Sequence, residues 1–307
     1  MKVHKFPKYS LYFLGSLLLL LSLCSCGAKE DLTVAPTTTY FFGLYPEASH
    51  GRIEIDTWSD EMEFKLESSG ANRQYVIMLF LDYEQIPFSV EGETYEQYYI
   101  DVNQPDYSRT FSFHLVQEPA PDQIHKLTGI VAAYSNIHLA EQADLDYMDD
   151  YSIIPCYDLI INDATTYLPS DAVPEEPTSF YDSYSSGIIV NCYTDKLGTY
   201  IPEPEIHVKE GKNLTIQYNA GGYSDNNTFL LLATAGFQQM DLNGKKFAYF
   251  QGLPVGQQGN GFLEMSTPDA PGSYEVIVYM LPEPFSTDGI SEEMPDGSFR
   301  FTLIVDE

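Results

Sequence analysis

One feature of this 307-residue chain limits its folds more than any other: its pattern recurs at a period of about 150 residues. Met62-Glu63-Phe64-Lys65-Leu66 runs into a turn at Ser68-Ser69-Gly70. Leu214-Thr215-Ile216-Gln217-Tyr218 runs into Ala220-Gly221-Gly222. Both alternate apolar and polar residues, as a half-buried strand must. A continuous apolar run follows in each copy, Val76 to Phe80 and Leu230 to Thr234. Each run leads to a glutamine, Gln85 or Gln239, then to Ile86 or Met240, Phe88 or Leu242, and Gly92 or Gly244. An aromatic stretch comes next, Tyr95 to Tyr99 and Phe247 to Phe250. Ala120-Pro121 and Ala270-Pro271 open a late strand, expected at Gly129 to Tyr134 and Tyr274 to Met280. The last strands also correspond, Tyr157 to Asn162 with Phe301 to Asp306. The order is kept and only the gaps change, as loops allow.

Each copy holds about seven or eight short strands separated by Gly, Pro, Asn and Asp, with no convincing amphipathic helix. This pattern predicts an all-β chain of two tandem sandwiches, over 38–166 and 185–307. The intervening 167–184 is rich in Pro, acidic residues and Tyr, and reads as a semi-extended linker. Within the second copy, Ala270-Pro271-Gly272-Ser273-Tyr274-Glu275-Val276-Ile277-Val278 resembles the penultimate-strand pattern of bacterial immunoglobulin-like domains. The resemblance implies that fold for both copies. The first copy departs from the pattern, with Asp122 where the glycine stands.

The N-terminus carries Lys2, Lys5 and Lys8, then an apolar run from Leu11 to Leu23. This is the layout of a secretory signal, and the run is short for a membrane-spanning helix. Leu23-Cys24-Ser25-Cys26-Gly27 resembles the bacterial lipobox. That resemblance implies cleavage after Ser25 and a lipid on Cys26, with residues 1–25 as signal peptide and 26–37 as a lipidated flexible tether. Two or more acyl chains anchor stably where one does not. The expected geometry is an exported stalk, with the first copy near the membrane and the second beyond the linker.

Loss of the leader removes three lysines and no acids, so a formal charge of −30 becomes more negative still. Such a body repels nucleic acid. Apolar residues at 44% and 24 tyrosines are enough for packed cores, so the acidity does not mean disorder. Cys156 and Cys192 permit one disulfide, but they fall in different copies. Two free, buried thiols are expected instead.

No catalytic signature appears. There is no HExxH, no CxxC pair, no Gly-x-Ser-x-Gly elbow and no phosphate-binding loop. Clustered acids at Asp144, Asp146, Asp149 and Asp150 could offer oxygens to calcium, although they do not match an EF-hand. Tyr95, Tyr98, Tyr99 and Tyr249 are candidate ligand-facing aromatics that could stack on a sugar or meet a protein. The expectation is a non-catalytic surface lipoprotein that presents duplicated sandwiches to a protein or glycan. The alternatives are a carbohydrate-binding accessory of an uptake or degradation system and, further off, a hydrolase with an unrecognised site.

Overall fold

A computed structural model describes residues 39–44, 51–70, 72–138, 152–167, 172–182, 186–194, 200–222, 227–287 and 293–307. Among these residues every element is a strand. The predicted leader, Cys26 and the acidic group Asp144, Asp146, Asp149 and Asp150 lie outside them.

The first copy contains β1 (Thr39–Leu44), β2 (Arg52–Ile55), β3 (Met62–Ser69), β4 (Arg73–Leu81), β5 (Glu84–Ile86), β6 (Phe88–Val90), β7 (Glu93–Tyr95), β8 (Tyr98–Val102), β9 (Asp106–Leu115), β10 (Ile124–Ala133), β11 (Ser152–Ile153) and β12 (Cys156–Ile161). One sheet has the order β1-β3-β9-β6-β7. The other has the order β2-β12-β10-β4-β5, with β8 also on β4 and β11 on β10. The first strand thus splits between sheets: β1 pairs antiparallel with β3, and β2 parallel with β12. This is the strand order of an immunoglobulin-type sandwich.

The second copy contains β13 (Ser179–Asp182), β14 (Gly187–Val190), β15 (Cys192–Thr194), β16 (Tyr200–Pro202), β17 (Glu205–Lys209), β18 (Leu214–Gly221), β19 (Asn227–Ala235), β20 (Gln238–Met240), β21 (Ala248–Leu253), β22 (Gln257–Met265), β23 (Gly272–Pro282), β24 (Asp296–Gly297) and β25 (Phe301–Asp306). Its sheets run β13-β22-β18-β14 and β17-β25-β23-β19-β20, with β21 on β19 and β24 on β23; β15 and β16 pair separately.

Register makes the duplication exact enough to match residues. Met62 faces Phe113 as Leu214 faces Met265, and Ile77 faces Val131 as Leu231 faces Met280. Ile124 faces Ile160 as Ser273 faces Ile304. The late strands begin earlier than expected, at Ile124 and Gly272. This register sets His125 against Tyr274, Lys126 against Glu275 and Cys156 against Arg300.

Each sandwich has its own interior core. In the first, Phe64, Leu66, Ile77, Leu79, Phe111, Phe113, Val131 and Leu159 are buried, and Phe64 stacks on Phe113 at 3.8 Å. In the second, Ile216, Tyr218, Leu231, Ala233, Phe250, Val278 and Leu303 are buried. A third core lies between the copies. It gathers Val76, Met78, Phe80, Tyr83, Ile130 and Ala132 with Leu230, Leu232, Phe237, Ile277, Tyr279 and Leu281. Successive residues of a strand point to opposite faces. Strands β4 and β19 are therefore buried on both, which is why their sequences run apolar without alternation.

The expected stalk of two separate modules is therefore corrected: the copies share a core and form one block. Part of the expected linker is also structural. Ser179–Asp182 adds β13 to the edge of β22, with Phe180 opposite Gly259.

Candidate ligand cleft at the seam

The site is built on two matching hairpins. Asp82-Tyr83 connects β4 to β5, and Gly236-Phe237 connects β19 to β20. All four residues have positive φ, between 50° and 71°. Two such residues in succession give the tight turn whose twist suits a hairpin. For Tyr83 and Phe237 this conformation costs about 1 kcal/mol or more. Their rings offset it by entering the seam, where they are 4% and 3% exposed.

At the first-copy end, Asp82 leads into a polar network. Its Oδ2 is 2.6 Å from His125 Nδ1, and its Oδ1 accepts from the Lys126 backbone N–H at 2.9 Å. His125 is 2% exposed, and its Nε2 is 2.8 Å from the Ala120 carbonyl. Both ring nitrogens face acceptors, so only the imidazolium satisfies both. Burial pulls the His125 pKa down, but the bonds to Asp82 and Ala120 outweigh it and hold the pKa above the ordinary value. Lys126 Nζ donates to Asp158 Oδ1 at 2.6 Å and to the Ser286 carbonyl of the second copy at 2.7 Å. Tyr167 donates to the other Asp158 oxygen at 2.8 Å.

The other end of the seam uses the same positions differently. Tyr274, in the place of His125, donates to the Ala270 carbonyl at 2.9 Å. Gly236 stands where Asp82 does. A Cβ there would come within 3.0 Å of the Tyr274 ring, so the tyrosine covers the space. Glu275, in the place of Lys126, accepts from Thr302 Oγ1 at 2.8 Å and pairs with His138 of the first copy at 3.0 Å.

At the first-copy end, where His125 and Asp82 stand in place of Tyr274 and Gly236, a cleft opens with both in its lining. Its volume is about 460 Å³, within the usual range for small-molecule sites. Tyr83, Tyr167, Phe247 and Phe285 supply aromatic walls, and Glu84, Glu118 and Gln117 supply polar groups. Tyr83 meets Phe247 and Phe285 edge-on, at 5.9 and 5.6 Å between centroids, and donates its hydroxyl to the Pro284 carbonyl. Burial raises the Tyr83 pKa well above the ordinary phenol value.

The predicted aromatic surface is not one row. Tyr95 and Tyr98 pack edge to face at 5.0 Å, and Tyr98 packs on Phe111. The Tyr95 hydroxyl donates to Glu93 at 2.6 Å, and this carboxylate pushes its pKa up to about 12. Tyr99 lies on the opposite face of its strand, 45% exposed. Tyr249, its counterpart in the second copy, is 8% exposed beneath Phe285. Tyr249 is thus a packing residue behind the cleft, since a ring from the chain after β23 covers it. Cys156 is free, and burial lifts its thiol pKa to about 11.

The sequence reading missed Asp82, His125 and Lys126. The repeat alone does not show the match: extended from Ala120 and Ala270 it sets His125 against Glu275, one residue out of the strand register. Among the described residues, no group of three or more His, Cys, Asp or Glu is placed to hold a metal ion. Among the described residues there is no helix long and apolar enough to cross a membrane.

Comparison with known proteins yields no matching family model and no matching curated protein. Solved structures align loosely. The two-protein structure of Salmonella enterica SafA pilin with the SafB chaperone matches at 10% identity and a TM-score of 0.25, over 87% of this chain and 96% of that one. The fibronectin(III)-like modules of Clostridium thermocellum CbhA match at 9% identity and 0.22, over 87% and 94%. Red sea bream transglutaminase matches at 9% identity and 0.23, and this chain spans only 31% of it. Similarity at this level carries nothing about ligand, partner or activity.

Proposed function

We propose that the protein is an exported, lipid-anchored, non-catalytic binding protein that takes its ligand in the cleft at the first-copy end of the seam. One observation carries the binding reading. The two ends descend from the same arrangement, yet one is filled by Tyr274 over Gly236 and the other opens beside His125 and Asp82. The first-copy end thus sets a part-buried charged pair beside open space, where the second-copy end has a packed tyrosine.

A binding role fits the cleft better than catalysis. His125 has both nitrogens engaged, so it has no lone pair for proton abstraction. A sugar platform is less favoured, because Tyr95, Tyr98 and Tyr99 do not form a planar row. The anchor rests on the lipobox-like sequence at Cys26 and on the charged, apolar leader before it.

The test has two readouts on the full chain. Wild-type protein should enter the detergent-rich phase of a Triton X-114 separation, and Cys26→Ser should stay aqueous. A fragment screen by NMR should report shifts around Glu84, Glu118 and Phe247. Aqueous wild-type protein would overturn the anchor. Fragment shifts clustered elsewhere would overturn the cleft.

A further inference from the structure

Resting on the cleft as the binding site, we infer that its ligand is a small organic cation, an alkylammonium or guanidinium compound. The argument is a subtraction of charge. Asp82 is opposed by His125, and Lys126 by Asp158. Among the described residues, Glu84 and Glu118 line the cleft with no ion-pair partner. An empty cleft therefore presents two uncompensated negative charges. Both side chains are exposed.

The walls suit the same chemistry. An aromatic face carries negative potential and attracts an ammonium or guanidinium group. The cleft already shows this once: Lys126 Nζ sits 5.0 Å from the centroid of the Tyr167 ring, with the Asp158 carboxylate behind it. A ligand cation between Phe247, Phe285 and the two glutamates would repeat that pairing. The volume of about 460 Å³ fits a compact molecule rather than a folded partner. The acidity of the whole chain raises the local concentration of cations, without by itself choosing a site.

Calorimetry on the detergent-solubilised full chain tests this. The probes are spermidine and arginine methyl ester, with maltose and glutarate as neutral and acidic controls, and a Gly-Arg-Gly peptide as a macromolecule-like source of the same group. The cations should bind at one site at 150 mM salt. Glu84→Gln with Glu118→Gln should weaken binding about tenfold. Glu61→Gln with Glu210→Gln removes the same charge from exposed positions elsewhere and should change it less than about twofold.

Equal weakening by both pairs would mean diffuse counterion attraction and would overturn the inference. Maltose or glutarate binding that is lost in the cleft-filling Ile86→Trp, with no cation binding, would keep the cleft and overturn the cation. Cation binding that is indifferent to Ile86→Trp and to the glutamate pair would overturn both. Binding by the peptide but neither small cation would overturn the small-molecule assignment.

Discussion

Gln85 and Gln239 hold each other across the seam in a reciprocal clasp. The backbone N–H of Gln85 donates to Gln239 Oε1 at 2.8 Å, and that of Gln239 donates to Gln85 Oε1 at 2.6 Å. Each side-chain amide then donates to a turn carbonyl of the other copy, Gln85 to Phe237 at 3.1 Å and Gln239 to Tyr83 at 2.9 Å. A contact in which residue i meets j as j meets i is the mark of a two-fold interface. The chain has thus folded as a symmetric dimer of its own halves.

This relationship predicts strong coupling. Gln85→Ala removes an acceptor and a donor, leaving the Gln239 N–H and the Phe237 carbonyl short of partners. A loss of about 1–3 kcal/mol is expected for each single change. The second change should cost less once the first is made, because the partner group is already gone. Urea unfolding of both single variants and the double variant gives the interaction energy. A value of about 1 kcal/mol or more is expected, and strict additivity would disprove the clasp.

Much of this was legible in the sequence. Repeat order, strand positions and the sandwich class follow from alternation in Met62–Leu66 and Leu214–Tyr218 and from the matched glutamines. Unbroken runs at Val76–Phe80 and Leu230–Thr234 also announced strands buried on both faces, a sign easily taken as one core instead of two. The cleft was not legible, because it depends on which residue fills a shared position. His125 and Tyr274 each reach an alanine carbonyl, but only the register of β10 and β23 shows that the position is the same. Burial of Tyr249 depends on Phe285, thirty-six residues away, and no local pattern reports such a contact.

The His125–Asp82 pair makes stability depend on pH with a definite sign. The folded pKa of His125 lies above its unfolded value of about 6.5. Its contribution is therefore fully present below that value and is lost as pH rises through the folded pKa. In Asp82→Asn, burial acts without the carboxylate to oppose it, so the folded pKa should fall below 6.5 and the sign should invert. An imidazole NMR titration should place the wild-type midpoint above 6.5 and that of the variant below. Denaturation midpoints at pH 5.5 and 8.5 should move the two proteins in opposite directions relative to His125→Gln. Identical titration curves would refute the pairing.

Cys156 should be chemically silent in the folded protein. Its thiol is buried, and desolvation raises its pKa to about 11. At pH 8 this leaves about two orders of magnitude less reactive thiolate than an ordinary cysteine has. In a Cys192→Ser background, an aromatic disulfide reagent should modify Cys156 at the rate of global unfolding, and at once in denaturant. Rapid modification of the native protein would show that the seam opens locally.

The two copies close one exposed side of their sandwiches by different means, and this gives the last test. In the first copy, Tyr107 packs against the core and Arg109 lies over Phe111 at 4.4 Å while pairing with Glu91. Register places Gly259 and Gly261 at the equivalent positions of the second copy. With no side chains of their own there, the space at Gly261 is taken by the Tyr218 ring and the space at Gly259 by Pro177, just before β13. A Cβ on Gly259 would sit 2.7 Å from Pro177 Cγ and 3.1 Å from Leu253, and β13 follows immediately along β22. Gly259→Val should therefore push Pro177 away and release β13, at a cost of about 1–3 kcal/mol. Chymotrypsin should then cut at Phe180 or Tyr181 in the otherwise folded protein. Tyr107→Gly should lower stability by a similar amount, since it uncovers the first core, yet leave that cleavage slow. Protection of Phe180 and Tyr181 in Gly259→Val would mean that the strand is held by its own backbone bonds to β22 and not by the gap the glycine provides.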